Sequence, residues 1–158
     1  MTDLDCSSYS TADDRRLFAR ELDAFVPAKV FDAHAHLAAT PFSKEVPFPV
    51  AHREYSQLME CVLPGRKPSA LFISFSASRE AVDAANLWTS RELAGRPQCR
   101  GLFYVRPTDE PEWVRQEVRR LGLHGLKCYH LLAPVSPTWE ADLPDYLPEP
   151  LVKVAHEE

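Results

Sequence analysis

Two histidines one residue apart, His34 and His36, end a short run of β-branched and aromatic residues, Lys29-Val30-Phe31. Side chains alternate faces along a strand, so the two imidazoles project from one face, one pleat apart. The strand rise puts their Cα atoms roughly 6–7 Å apart. Two neutral imidazoles so placed can converge on one divalent metal, at about 2.0–2.1 Å each. Asp32 is expected on the same face, one step deeper. Ala33 and Ala35 then face the other way and are small enough to pack under a helix. The plain alternative is a pair of exposed histidines at a strand end. The apolar residues before the motif and Leu37 after it favour a buried strand that ends in a pocket.

A second candidate lies far along the chain, in His124-Gly125-Leu126-Lys127-Cys128-Tyr129-His130. As a strand, this segment turns Leu126 and Cys128 toward packing helices and Lys127 toward the other face. A buried ammonium without a partner is costly. Lys127 there calls for a carboxylate, an anionic substrate, or carbamylation to a metal-bridging ligand. The alternative is a lysine that snorkels to a rim. His130 falls out of phase or in the following loop. Arg106 ends another strand. A guanidinium fork can hold a substrate carboxylate, but pairing with Asp109 or Glu110 is the favoured reading. His52 and His156 read as surface residues. Cys128 reads as a small buried apolar residue, with no base beside it to activate a thiolate.

Alternating elements must position these groups. Thr11 to Phe25 reads as a helix. Thr11 and Asp14 form a capping box, and Leu17, Phe18, Leu22, Phe25 and Val26 make an apolar stripe. Pro27 stops it. Strands are predicted at Lys29–His36, Ser69–Ser76, Cys99–Arg106 and His124–His130. Helices are predicted at His52–Val62, Ser78–Leu93 and Glu110–Leu121, with a last one beginning at Leu151 that the chain does not finish. Four βα units in succession imply a parallel sheet with right-handed crossovers. Two long loops, Ala38–Ala51 and the proline-rich stretch from Pro134 to Pro150, leave the carboxyl ends of strands, where such folds carry their sites. Phe42, Phe48 and Pro49 of the first loop either line a site for an apolar substrate or pack as a surface loop.

The 158 residues suit one folded domain, with a formal net charge of −5. The basic residues are interspersed with acids, which argues against a nucleic-acid partner. No apolar run approaches the roughly 20 residues that span a bilayer. The acidic start, Met1-Thr2-Asp3-Leu4-Asp5, does not read as a signal peptide. Cys6, Cys61, Cys99 and Cys128 are scattered without Cys-x-x-Cys spacing, so reduced thiols in a cytoplasmic protein are expected.

The run Phe31-Asp32-Ala33-His34-Ala35-His36-Leu37 on a first strand resembles the amidohydrolase superfamily of metal-dependent (β/α)8 barrels. Gly125-Leu126-Lys127-Cys128-Tyr129-His130 on a fourth strand, and Val105-Arg106-Pro107-Thr108-Asp109 after a third, resemble its amidohydrolase-related branch. The resemblance spans roughly Pro27 to Glu158. It implies the N-terminal half of a TIM-like barrel, residues 28–158, behind an N-terminal extension and helix over residues 1–27. It implies that His34 and His36 bind a divalent metal, usually zinc. Lys127 is the nearest match to a strand-four lysine that is carbamylated in two-metal members. The family also uses histidines on strands five and six and an aspartate on strand eight, and these positions have no counterpart here. A TatD-like nuclease also begins with Asp-x-His-x-His, but expects an acidic residue near strand four, where Lys127 stands. The PHP phosphoesterases share the first motif alone.

The resemblance implies hydrolysis of an amide, ester or lactone in a small-molecule substrate. Decarboxylation by the same branch, or a non-catalytic half-barrel, are the alternatives. Four βα units fall short of a complete barrel, which takes about 250 residues. The isolated chain is therefore expected to bind zinc weakly, to be inactive, and to self-associate through open strand edges.

Overall fold

The computed structural model describes residues 6–41, 48–74, 76 and 78–158. Its centre is a four-stranded parallel sheet in the order β1-β2-β3-β4, with β1 at Phe31–Leu37, β2 at Ser69–Ser74, β3 at Arg100–Tyr104 and β4 at Leu126–Lys127. Helices follow each strand: α2 (His52–Val62), α3 (Val82–Leu93), α4 (Pro111–Leu121) and, after the short α5 (Leu143–Tyr146), α6 (Glu149–Glu157). The sheet order equals the chain order, the arrangement of four successive βα units and one compatible with half of a barrel.

Local chemistry sets the helix limits. Glu110 caps α4 by accepting from the Trp113 N–H at 2.9 Å, and Pro111 occupies the first turn, where its missing N–H costs nothing. Gly122 ends that helix in the left-handed region at φ 64°, as a C-terminal glycine does. Thr11 caps α1 (Ala12–Leu17) through the reciprocal box with Asp14.

Two apolar layers lie between sheet and helices. Ala35, Leu37, Ala70 and Phe72 pack with Tyr55 of α2 and with Cys99. Phe103 and Val105 pack with Val114, Val118 and Leu121 of α4 and with Leu151 and Val154 of α6. Leu126 and Cys128 lie against this second cluster, as the strand phase required. Burial raises the Cys128 thiol's pKa, in keeping with a packing role. The opposite face carries Leu71, Ile73, Leu102, Tyr104 and Lys127 by alternation and register.

Several expectations are corrected. The N-terminal helix does not run to Phe25: α1 ends at Leu17 and a π-helical turn covers Phe18–Leu22. Only Phe18 of its stripe is buried, while Leu17, Leu22 and Phe25 are exposed. The fourth strand shrinks from seven residues to two. Gly125 enters it at φ 90°, and after Tyr129 the chain turns into a 3-10 helix at His130–Leu132. Val82–Leu93 starts four residues later than the predicted helix. Cys6 and Cys61 form a disulfide joining the N-terminal segment to the end of α2. Two of the four thiols are therefore not reduced, and the cysteine pattern no longer argues for a reducing compartment. No described helix is long and apolar enough to cross a membrane. In the first long loop, Ala38 pairs with Val50 in an antiparallel bridge. Phe42 lies outside the described residues.

Candidate metal centre

His34 and His36 come together as their spacing predicts. Their Nε2 atoms are 3.2 Å apart, with the rings inclined at 60°. Two nitrogens at about 2.05 Å on one tetrahedral ion are about 3.3 Å apart, so this gap matches the bite of a shared metal. His36 is half-buried. Burial first, then the charges of His34 and Lys127, hold its pKa below the usual histidine value. The neutral, lone-pair-bearing form that a metal requires is thereby favoured. His34 is exposed.

The donor set stops at two. Among the described residues, no group of three or more His, Cys, Asp or Glu side chains is placed to hold an ion. A catalytic zinc site takes three protein ligands and a structural one four. The residues present fit two corners of such a site.

Asp32 departs from expectation. Asp32 is in register with Ala70 and Ala35 with Phe72, so β1 holds one more residue than β2 between these pairs. That is a β-bulge, and it breaks the alternation. By register Asp32 therefore falls with Ala35, toward α2, while it still borders the cavity that His34 and His36 line. Its Oδ2 accepts from the Tyr55 hydroxyl at 3.2 Å and its Oδ1 from the His34 backbone N–H at 3.0 Å. Burial, and then the Asp32 charge, push the Tyr55 phenol's pKa upward, so it stays protonated and donates.

A cavity of about 270 Å³ opens beside the pair. Phe48, Val50, Leu58 and Met59 supply its apolar wall, and Tyr9 reaches it from the N-terminal segment. Of the two readings of the first loop, Phe48 supports the lining one. Glu54 also borders the cavity, but its carboxylate is engaged by the Arg53 guanidinium at 2.6 Å and the Ala51 N–H at 3.1 Å.

Lys127 sits half-buried on the face opposite the helices, with Nζ 5.1 Å from the centroid of the Tyr129 ring. No described carboxylate pairs with it. Its charge reaches His36, which puts the two groups on a common electrostatic field. Arg106 is not directed to a ligand: Asp109 takes its Nε at 2.7 Å and Asp83 its Nη2 at 2.7 Å, the pairing favoured from sequence. His130 Nδ1 lies 3.1 Å from the Thr138 carbonyl oxygen, inside the loop after β4. His156 is exposed.

His52 was expected at the surface. It is half-buried instead, with Nε2 3.9 Å from the Cys99 sulfur and its backbone N–H donating to Glu92. Burial lowers its pKa. Neither this contact nor the Asp32–Tyr55 bond is legible in spacing, since each joins residues far apart in the chain.

Set against family models, curated proteins and solved structures, the chain matches none.

Proposed function

We propose that this chain is the metal-binding front half of an amidohydrolase-type hydrolase acting on an amide, ester or lactone. The observation that supports the reading is the 3.2 Å approach of the two Nε2 atoms, a separation that suits a shared divalent ion as well as a hydrogen bond between the two rings. His34 and His36 hold the ion, with zinc the expected one. Such an ion, when bound, supplies Lewis acidity that brings the pKa of a water from about 15.7 toward 7.

The chain's own groups do the rest of what is assigned to it. The apolar wall of Phe48, Val50 and Leu58 excludes water and seats the substrate body. Lys127, without a carboxylate partner among the described residues, lies outside that cavity's lining on the sheet face it shares with His36, where it attracts an anionic substrate group. The proton shuttle is not among the described residues, and further βα units would have to supply it.

The test begins with the source transcript beyond the codon for Glu158. A continuing frame with histidines at two later strand ends and an aspartate at a third is expected. Its product, loaded with zinc, should hydrolyse at least one member of an amide, ester and lactone panel, and His36→Ala should abolish that. A continuing frame without those residues contradicts the proposal, as does hydrolysis indifferent to His36.

A further inference from the structure

The bulge in β1 has a specific anchor. Strict alternation would put Asp32 on the face of His34 and His36, where it would be a third oxygen or nitrogen donor to the same ion. The register instead places it with Ala70, under α2. There it makes two bonds of different kinds. Oδ1 accepts from the backbone N–H two residues on, His34, closing an Asx-type turn within the bulge. Oδ2 accepts from the Tyr55 hydroxyl of α2, a residue 6% exposed.

We infer that Asp32 and Tyr55 are positioning residues that lock the bulge and so aim His34 at His36, and that Asp32 is not a ligand. This rests on the metal reading only for its functional consequence. Without the Asx-type turn, the N–H of His34 loses its acceptor and the extra residue of the bulge has nothing to hold it. The strand can then relax to regular pairing or slide the surplus residue elsewhere. Either change rotates the exposed His34 ring away from the half-buried His36. Tyr55 fixes the other carboxylate oxygen, so that Asp32 holds one rotamer. Its own ring is held by edge contact with Phe72, at 4.8 Å between centroids. The chain of contacts runs from the helix-side core, through a phenol and a carboxylate, to the backbone of a ligand residue. Outer partners of this kind typically govern metal affinity by roughly tenfold to a hundredfold.

Asp32→Asn separates positioning from charge, because asparagine keeps an oxygen that accepts from the His34 N–H and an amide that donates to the Tyr55 oxygen. The experiment compares wild type, Asp32→Asn, Asp32→Ala and Tyr55→Phe by two readouts. One is the NMR cross-peak, in metal-free protein, between ring protons flanking the two Nε2 atoms. The other is calorimetric titration with zinc alone. Circular dichroism and melts confirm that each variant is folded.

The expected result is a cross-peak in wild type and Asp32→Asn, its loss in Asp32→Ala, and its weakening in Tyr55→Phe. Zinc affinity should follow the same order, with Asp32→Ala lower by roughly tenfold or more. A cross-peak unchanged in folded Asp32→Ala overturns the inference. So does equal loss in Asp32→Asn and Asp32→Ala, which would make the charge the active element, or absence of the cross-peak from wild type. The expected cross-peak series with no zinc binding in wild type supports the positioning role and sinks the metal reading instead.

Discussion

The two edges of the sheet differ in how they are built. β4 contributes two hydrogen-bonded residues, yet it is backed by a closed core: Phe103, Val105, Val114, Leu151 and Val154 are each at most 1% exposed. β1 is seven residues long and carries the histidine pair, but it is bulged, and Phe31 at its start is 52% exposed. Exposed apolar side chains occur on both sides: Leu17, Leu22, Phe25 and Val62 in the N-terminal segment and α2, and Leu131, Trp139, Leu143 and Val152 in the segment after β4. The β1 side has its own closed core in Leu37, Ala70 and Phe72, so the two edges differ in strand length and in the bulge, and the candidate chemistry lies at β1. Neither edge strand has a second neighbour among the described residues.

The sharpest way to break this contrast is to cut the β4 core. Leu151→Ala is expected to cost about 2–5 kcal/mol by denaturant melt. A cost below about 1 kcal/mol, the range of a surface change, would show that no closed core backs β4. Next, Cys6→Ser opens the disulfide that closes a span of 55 residues onto α2 and is expected to cost roughly 2–4 kcal/mol. An equal melting point in oxidised and dithiothreitol-treated wild type would show that this tether contributes nothing.

The pH response is smaller and has a definite sign. His52 and His124 both have pKa values lowered by burial, helped by the charges of Arg96 and Arg100 respectively. The folded state therefore binds fewer protons than the unfolded chain. The stability these residues contribute is present above the unfolded histidine value, about 6.5, and is lost as pH falls through the lower folded values. The melting temperature should drop between pH 7.5 and 5, and less so in His52→Gln. A rise over that interval would contradict the assignment. Smallest of all, Phe25→Ser should leave stability within about 0.5 kcal/mol while reducing self-association in sedimentation. A wild-type chain that sediments as a clean monomer would remove the reason to expect association at the β1 side.

The repeated βα order is legible because amphipathic helical stretches alternate with short strand segments, of which the one over 70–75 is nearly continuous in apolar residues. The sequence also placed Lys127 opposite Leu126 and Cys128, since alternation holds through that short strand. It misplaced Asp32, because one inserted residue shifts the phase of everything before it and no local residue type signals the bulge. The apolar stripe at Leu17, Leu22 and Phe25 has helical spacing, but spacing does not say whether a surface lies opposite. The Cys6–Cys61 bond was missed for a related reason: it joins two elements whose proximity only the fold creates.

We propose above that His34 and His36 form one divalent-metal pair. Calorimetric titration of the wild-type chain with zinc, alongside His34→Ala and His36→Ala, tests it most directly. One weakly held zinc per chain is expected, removed by either substitution and by dialysis against a mild chelator. Zinc binding of equal strength in both variants would contradict it.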